Sequence, residues 1–306
     1  MPRLLVTGAS GLLGANLVLA AHEEHEVIAV YHRHPIELDG VQSVSADLCQ
    51  PGIAEELFDR FQPDWVIHCA ADTSIDELES NPKRAFRINR DMAANVAEAA
   101  REIGAKLVHI STDAVFDGRE GPYREGDPTE PVNVYGKSKL AGEHAVQAVC
   151  PEALIIRTNI FGWNAQPKTS LAEWFINNLM QGIPCKGFVD VHFNPLLVNH
   201  LYEIINSLMK SDLWGVFHVG SDQCISKYEF GIRLAESFDL NKELISAVEI
   251  ETGSLRAPRP KNTCLDCSKI RKVINVGLLD LESNIGFFHE LEQSGYVEEI
   301  RKMAVQ

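Results

Sequence analysis

The strongest constraint on the fold is a regular alternation of short apolar runs and helix-like segments through the first half of the chain. The apolar runs are predicted strands, and the intervening segments repeat apolar residues at helical spacing. This alternation is typical of an α/β protein whose doubly wound parallel sheet is covered by helices on both faces. The predicted strands are Arg3–Thr7, Glu26–Tyr31, Val41–Ala46, Asp64–Ala70, Lys106–Ser111 and Ala153–Arg157. The predicted helices are Leu12–His22, Gly52–Phe61, Pro82–Ile103 and the helix that contains Tyr135.

Three glycines at G-x-x-G-x-x-G spacing follow the first predicted strand and open the first predicted helix. A backbone that approaches a pyrophosphate needs residues without a side chain, and a helix N-terminus attracts the anion. A merely tight turn is the alternative, but the strand–turn–helix context favours a dinucleotide-binding fold of the Rossmann type. The residues of this loop predicted to bind the cofactor are Gly8, Ser10, Gly11, Leu12, Leu13 and Gly14.

The rhythm of strands and helices stops near Phe161, where loops rich in glycine, proline and asparagine begin. The apolar run in Gly215–Gly220 is still typical of a core strand, so we expect residues 213–220 to return to the main sheet. Two parts are therefore predicted. Residues 1–160 form the dinucleotide-binding domain, and residues 161–306 form mainly a smaller substrate-binding lobe.

The residues after the second predicted strand bear on the choice between NAD and NADP. A carboxylate there would bind the ribose 2′-hydroxyl of NAD, whereas an arginine would bind the 2′-phosphate of NADP. The sequence has Arg33 between two histidines and no acidic residue. We therefore predict NADPH, bound by Arg33 with help from Ser10. NADH remains the alternative, since a solvated surface arginine needs no ligand.

Tyr135 and Lys139 are four residues apart, which places both side chains on one face of a helix. Ketone reduction requires a proton donor, and an unperturbed tyrosine, with a pKa of about 10, is a poor acid near neutrality. A nearby ammonium favours the phenolate, so we expect Lys139 to lower the pKa of Tyr135. Thr112, at the end of the fifth predicted strand, would stabilise charge on the substrate oxygen. The alternative is a structural ring packed beneath a lysine.

Motifs spread over nearly the whole chain resemble the extended short-chain dehydrogenase/reductase family. They are the glycine loop, Asp47-Leu48, Ala70-Ala71, Asn89, and Tyr135 with Lys139. Three longer segments, "HISTDAVFDG", "RTNIFG" and "RPKNTCLDCSKI", resemble its dTDP-4-dehydrorhamnose reductase branch. This resemblance implies an enzyme that reduces the C4 carbonyl of a 4-keto nucleotide sugar with NADPH. Its catalytic residues would be Thr112, Tyr135 and Lys139.

The same resemblance implies further binding residues. Asp47 and Leu48 would contact the adenine. The nicotinamide side would be lined by Ala70, Ala71 and Thr73, and the cofactor would also be bound by Asn89, Tyr135 and Lys139. The substrate would be bound by Thr112, Asp113, Asn159, Ile160 and Arg259. Arg259 is expected to pair with the diphosphate.

Several alternatives remain open at this stage. Related dehydratases carry a glutamate where this chain has Ala114, which cannot transfer a proton, so dehydration is disfavoured. A non-catalytic regulatory subunit is the main alternative, because the β subunit of methionine adenosyltransferase resembles the same branch and has a Tyr/Lys pair. A reductase of a non-nucleotide carbonyl is the third. Phe161, Trp163 and Trp174 would stack on the substrate or, as is more usual, pack in the core.

Composition narrows the partners and the compartment. A net charge of −15 disfavours nucleic-acid binding, and the absence of a run of about 18 apolar residues disfavours a membrane span. Seven dispersed cysteines predict free thiols in a reducing compartment, and hence a cytoplasmic protein. Cys264 and Cys267 form a C-x-x-C without a second pair of ligands, so no metal site is expected. The expected partner is a small nucleotide sugar, and a homodimer is compatible with the resemblance.

Overall fold

The computed structural model describes residues 1–250, 255–274 and 276–305. Its strands, in chain order, are β1 (Arg3–Thr7), β2 (Glu26–Tyr31), β3 (Gln42–Ser45), β4 (Trp65–His68), β5 (Lys106–Thr112), β6 (Leu154–Phe161), β7 (Cys185–Phe188), β8 (His192–Phe193), β9 (Pro195–Leu197), β10 (Gly215–His218), β11 (Ile225–Ser226) and β12 (Ile245–Val248). Eight of them form one parallel sheet with the path β3-β2-β1-β4-β5-β6-β10, and β9 pairs with the C-terminal part of β6. The predicted doubly wound parallel sheet is confirmed.

Helices cover both faces of this sheet. They are α1 (Leu12–Ala21), α2 (Ile53–Phe61), α3 (Ile75–Ser80), α4 (Pro82–Phe86), α5 (Met92–Ile103), α6 (Val134–Val149), α7 (Leu171–Met180), α8 (Val198–Met209), α9 (Lys227–Ser237), α10 (Leu281–Gln293) and α11 (Tyr296–Lys302). Alternate residues of β1 enter different cores: Leu4 packs with α1 and α8, and Leu5 packs with α2, α5 and α6. Burial on both faces explains why the strands read as continuous apolar runs.

The single helix predicted over residues 82–103 has three segments. A π-helical turn, Arg87–Asp91, separates α4 from α5. Such turns are rare and often lie at functional sites, because the extra residue redirects a side chain. Here the turn contains Asn89, which is buried. Helix α6 approaches this turn closely, since a Cβ added to Gly142 would lie 2.2 Å from the carbonyl oxygen of Asn89.

The chain beyond β6 contributes two small sheets and several helices. Strand β7 pairs with β12 in parallel, and β8 pairs with β11 in antiparallel orientation. Its core is aromatic: Trp163 stacks on Phe288 at a centroid distance of 4.3 Å, and Phe161 meets the edge of Phe230 at 5.1 Å. Phe161 and Trp163 are therefore core residues rather than stacking surfaces for a ligand. No helix in the described ranges is long and apolar enough to span a bilayer.

The prediction that all seven cysteines are free thiols is wrong for two of them. Cys224 and Cys264 form a disulfide, with 5.6 Å between their Cα atoms and a separation of 40 residues in the sequence. Only the tertiary structure brings the loop before β11 against the segment after β12. Cys267 of the C-x-x-C remains a buried free thiol. Across the described residues, no group of three or more His, Cys, Asp or Glu side chains is arranged to hold a metal ion.

Candidate active site

The glycine loop forms a tight turn between β1 and α1. Gly8 has a φ of 64°, and a Cβ at this position would lie 2.7 Å from the backbone of Ala70. A Cβ on Gly14 would lie 2.2 Å from the carbonyl oxygen of Gly8, so the helix can approach the turn only without a side chain. The amide of Gly11 donates to the same carbonyl at 2.9 Å. Two of the three glycines are thus required by close backbone contacts.

The N-terminus of α1 fits a pyrophosphate. Gly11 is its N-cap, no side chain caps it, and its first turn contains no acidic residue. The first amide groups of a helix lack intrahelical acceptors and carry partial positive charge, which favours a bound anion. Ser10 and Leu12 lie half-buried beside this turn, whereas Leu13 is buried in the core.

The adenosine side lies at the ends of β2 and β3. Arg33 is exposed just after β2, and its guanidinium has no hydrogen-bond or ion-pair partner in the part of the chain that the structure describes. Asp47 accepts a hydrogen bond from the amide of Cys49 at 3.1 Å and lies 3.6 Å from the guanidinium of Arg87. Leu48 is buried. An unpaired, exposed guanidinium at this position fits a ribose phosphate.

The nicotinamide side is formed by the loop after β4. The amide of Ala70 donates to Thr7 Oγ1 at 3.3 Å, while Ala71 is half-buried and Thr73 is exposed. Asn89 exchanges two hydrogen bonds with the backbone of Asp72, at 2.9 and 3.0 Å. Its side-chain amide also donates to Ser138 Oγ at 2.9 Å. The side chain of Asn89 is therefore hydrogen-bonded within the protein. These bonds hold the loop against α6, and the amide is not free to bind a cofactor.

The three predicted catalytic residues converge at the C-terminal end of β5. Thr112 ends that strand. Tyr135 and Lys139 lie one helical turn apart on the side of α6 that faces the strand. All three are buried, and Tyr135 is hydrogen-bonded to Thr112. Helix α6 lies very close to the turn that follows β5, since a Cβ on Gly136 would be 2.3 Å from the carbonyl oxygen of Ala114. The juxtaposition predicted from the i, i+4 spacing is present.

The electrostatics of the tyrosine differ from the prediction. Burial raises the pKa of Tyr135 to about 12; the bond with Thr112 opposes this shift and the charge of Asp113 adds to it. The expected lowering by Lys139 is absent. The ammonium of Lys139 donates to the carbonyl of Ile110 at 2.7 Å, and burial lowers its pKa to about 8. A lysine whose own charge is disfavoured by burial, and which is directed at a carbonyl, exerts little pull on the phenol.

Asp113 joins the two parts of the molecule. Its carboxylate accepts hydrogen bonds from Thr112 at 3.1 Å, from Asn159 at 2.9 Å and from Thr263 at 2.6 Å. These donors come from β5, from β6 and from the segment after β12. Thr112 Oγ1 itself accepts a hydrogen bond from the amide of Ala114 at 3.2 Å. Burial raises the pKa of Asp113 against these three hydrogen bonds.

Lys227 is a residue of this region that the sequence analysis did not select. It is half-buried at the start of α9, immediately after the cap Ser226, and its charge interacts with Asp113 and with Arg259. A cation is disfavoured at a helix N-terminus. That local mismatch is the signal by which it could have been found.

The predicted substrate-side residues have different surroundings. Asn159 is engaged with Asp113, and Ile160 is half-buried against the core. Arg259 donates to Asp76 at 2.8 Å and to the carbonyl of Ala257 at 2.9 Å, with its side chain 19% exposed. Its guanidinium is therefore paired within the protein, and a diphosphate would have to compete with Asp76.

A glycine turn at an uncapped helix, followed by a Thr–Tyr–Lys group at the carboxyl edge of the same parallel sheet, defines an extended short-chain dehydrogenase/reductase. Comparison with known proteins specifies the branch. Residues 2–289 match the family model described as the RmlD substrate binding domain. The chain belongs to this RmlD-like reductase family, as its resemblance to dTDP-4-dehydrorhamnose reductases predicted.

Three similar proteins illustrate the range of the family. A probable low-salt glycan biosynthesis reductase, Agl14, from Haloferax volcanii is 33% identical over 286 residues, covering 92% of this chain and 95% of its own. Methionine adenosyltransferase 2 subunit beta from Pongo abelii is 31% identical over 282 residues, covering 88% and 81%. A crystal structure of dTDP-4-dehydrorhamnose reductase from Bacillus anthracis in complex with NADP is 27% identical, with a TM-score of 0.84 and coverage of 95% and 99%.

Proposed function

We propose that the protein is an NADPH-dependent reductase of a 4-keto nucleotide sugar. The convergence of Thr112, Tyr135 and Lys139 beside the nicotinamide-side loop carries this proposal, because a proton donor is placed where a reduced carbonyl oxygen would lie. The unpaired Arg33 and the NADP-bound structural neighbour support NADPH over NADH. The glycine turn supports a bound dinucleotide.

Bound NADPH would supply the hydride for the sugar carbonyl. Tyr135 holds the proton for the carbonyl oxygen, and with a pKa near 12 its phenol stays protonated at neutral pH. Proton transfer to the nascent alkoxide is downhill, since an aliphatic alcohol is a weaker acid than a phenol. Thr112 would turn its single proton from Asp113 to the substrate oxygen as charge develops there. Lys139, held on Ile110, would orient the nicotinamide ribose.

Reduction is favoured over elimination of water by the short helical turn after Thr112. Its residues are Asp113, Ala114 and Val115. Asp113 is the only acid of this turn and is already engaged by three donors, and Ala114 has no proton to transfer. A dehydratase needs a further acid and base at this position, and the turn does not supply them.

The direct test follows NADPH absorbance in the presence of dTDP-, UDP- and GDP-linked 4-keto sugars. The proposal expects oxidation of NADPH with at least one member of this panel. Binding of NADPH without oxidation by any sugar would contradict it.

A second candidate function is a non-catalytic, NADP-binding regulatory subunit. The 31% identity to methionine adenosyltransferase 2 subunit beta favours it, because that relative matches 88% of the chain, against 92% for the Agl14 reductase. It predicts co-elution with a methionine adenosyltransferase catalytic subunit and altered kinetics of that enzyme. Efficient reduction of a keto sugar without any such complex would count against it.

A further inference from the structure

The disulfide between Cys224 and Cys264 joins the two segments that flank strand β8. Strand β11, which begins one residue after Cys224, pairs with one edge of β8. The other edge bonds the segment that leads to Cys264. There the amide of His192 donates to the carbonyl of Lys261 at 2.7 Å, and its carbonyl accepts the amide of Thr263 at 3.0 Å. The bridge therefore closes a small three-stranded unit with β8 at its centre.

The two ends of the bridge differ in exposure. Cys224 is exposed to solvent, whereas Cys264 is fully buried. All seven cysteines lie within the described residues, and the five outside the bridge, including Cys267 of the C-x-x-C, are free thiols. A disulfide is cleaved when a thiolate reaches one of its two sulfurs, so access decides which bridges are reducible. An external thiol approaches this bridge from the side of Cys224.

Cys264 is adjacent to a residue that contacts the candidate active site. Thr263 Oγ1 donates to Asp113 Oδ2 at 2.6 Å, which is the shortest of the three hydrogen bonds to this carboxylate. The other carboxylate oxygen of Asp113 accepts from Thr112, one of the three predicted catalytic residues, at 3.1 Å. A displacement of Cys264 therefore reaches Asp113 through a single intervening residue.

Asn194, which is buried just after β8, connects the same two segments without a covalent bond. Its side chain accepts from the amide of Leu265 at 2.7 Å and donates to the carbonyls of Ser221 and Gln223, both at 3.0 Å. Cleavage of the bridge leaves these hydrogen bonds in place. Since each of them opens more easily than a covalent bond, we expect reduction to loosen the unit around β8 and not to unfold it.

We propose that the Cys224–Cys264 bridge is a site of reversible reduction by a protein dithiol, and that its reduction lowers activity by loosening Thr263 from Asp113. First, a thiolate of the dithiol attacks Cys224 Sγ and forms a mixed disulfide, while the bond to Cys264 breaks and Cys264 leaves as a thiolate that takes up a proton. The second thiol of the dithiol then attacks its neighbour and releases Cys224 as a thiol. The protein gains two electrons and two protons, and the dithiol becomes a disulfide. The effect on activity rests on the proposed function, whereas the site itself does not.

The site is tested with reduced thioredoxin, followed by alkylation of the native protein and mass spectrometry of the peptide that contains Cys224. Alkylation of Cys224 should require this treatment in the wild type and in the control Cys150→Ser, which removes a free thiol at the far end of α6. Hydrogen exchange at the amide of Thr263 should become at least about tenfold faster after reduction, since the tether is lost. A bridge that resists thioredoxin, or exchange that does not change, would overturn the proposal.

The effect on activity is measured as oxidation of NADPH with a keto sugar that the wild type turns over. Reduction should lower kcat/KM by roughly tenfold, as for a weakened hydrogen bond to a charged group, and reoxidation should restore it. Cys224→Ser should have the low value with or without thioredoxin. Thr263→Val should have it while the bridge is intact and respond no further, whereas Thr263→Ser, which keeps the hydroxyl, should behave like the wild type.

These measurements separate the inference from the proposed function. Reduction of the bridge with faster exchange at Thr263, but no turnover of any keto sugar in either state, would overturn the reductase and keep the modification site. Equal turnover by the bridged and the reduced protein would overturn the control of activity alone. A loss of activity on reduction that persists in Thr263→Val would show that the effect does not pass through Thr263, and would overturn the proposed route.

Discussion

The guanidinium of Arg157 donates to both carboxylate oxygens of Glu143, at 2.7 Å from Nη2 and 3.0 Å from Nε, and both side chains are buried. Glu143 also accepts from Ser111, the residue before Thr112, and its charge supports that of Lys139. A bidentate ion pair on β6 and α6 thus underlies the catalytic residues on β5 and α6. The ion pair thus holds β5, β6 and α6 together, and the charge of Glu143 also stabilises the protonated form of Lys139.

Arg157→Met should destabilise the protein strongly. It leaves the Glu143 carboxylate buried without a cation, which costs about 3–5 kcal/mol of unfolding free energy. Urea denaturation measures the loss. The double variant Arg157→Met/Glu143→Gln should recover a large part of it, because neither residue of the pair is then charged. A loss below about 1 kcal/mol, as for an exposed pair, would contradict this assignment.

Tyr135→Phe should reduce kcat by roughly 100- to 10,000-fold while NADPH affinity is unchanged, since it removes only the proton donor. Tyr202→Phe is the matched control, because it deletes a buried hydroxyl of α8 that has no hydrogen-bond partner within the described residues. Rates and NADPH titrations are to be measured on the same preparations. A kcat for Tyr135→Phe equal to that of the control would eliminate the tyrosine as the acid.

Arg33→Ala should weaken NADPH binding by about ten- to hundred-fold and leave NADH binding unaltered, because only NADPH has the 2′-phosphate. Fluorescence titration of the two cofactors gives the ratio of affinities. Arg101→Ala, at the end of α5, removes an exposed arginine away from the site and should change neither affinity. An equal loss for both cofactors would show that Arg33 does not recognise the phosphate.

Two buried histidines predict a loss of stability in mild acid. Burial, reinforced by Lys139, lowers the pKa of His68 from 6.5 to about 3. Burial, reinforced by Arg157, lowers the pKa of His218 from 6.5 to about 4. Below pH 6.5 the unfolded chain therefore takes up protons that the folded chain does not. The free energy of unfolding should fall as the pH falls, by about 1.4 kcal/mol per pH unit for each histidine.

Urea denaturation between pH 6.5 and pH 4, the interval set by these histidines, measures the slope. For His218→Gln, the free energy of unfolding should change less steeply with pH than for the wild type, because about one proton fewer is taken up on unfolding. His144→Gln, on the exposed side of α6, should keep the full slope. Stability that is independent of pH in this interval would show that the two imidazoles are protonated in the folded state.

Reduction of the Cys224–Cys264 disulfide should lower the free energy of unfolding by about 2–4 kcal/mol, since the bridge closes a loop of 40 residues. Urea denaturation with and without dithiothreitol gives this difference. Cys224→Ser should be as unstable as the reduced protein and indifferent to the reductant. Cys49→Ser, which removes a free thiol, should still respond to it. The same stability for oxidised and reduced protein would disprove the bridge.

The sequence predicted those features that depend on local pattern. Strands β1 and β2 have the predicted bounds because each is an apolar run buried on both faces. Tyr135 and Lys139 meet because four residues make about one helical turn. The pKa of Tyr135 was predicted in the wrong direction, since burial and the carbonyl of Ile110 exist only after folding.

Features formed by distant segments could not be located from a local pattern. Cys224 and Cys264 are separated by 40 residues. Lys227 follows an ordinary serine cap, and only the β11–β8 pairing brings it towards Asp113. The π turn at Asn89 interrupts a segment whose apolar residues have regular helical spacing. The hydrogen bonds that account for this turn join Asn89 to Asp72 and Ser138, which lie outside the helix.

Strand β10 has a consequence for any attempt to dissect the molecule. It completes the sheet beside β6 although it follows β7, β8 and β9 in the chain. A truncated polypeptide ending near residue 160 would therefore expose the edge of β6 as an open template for self-association. A stand-alone nucleotide-binding module requires an internal deletion that retains residues 213–220 instead of a shortened C-terminus.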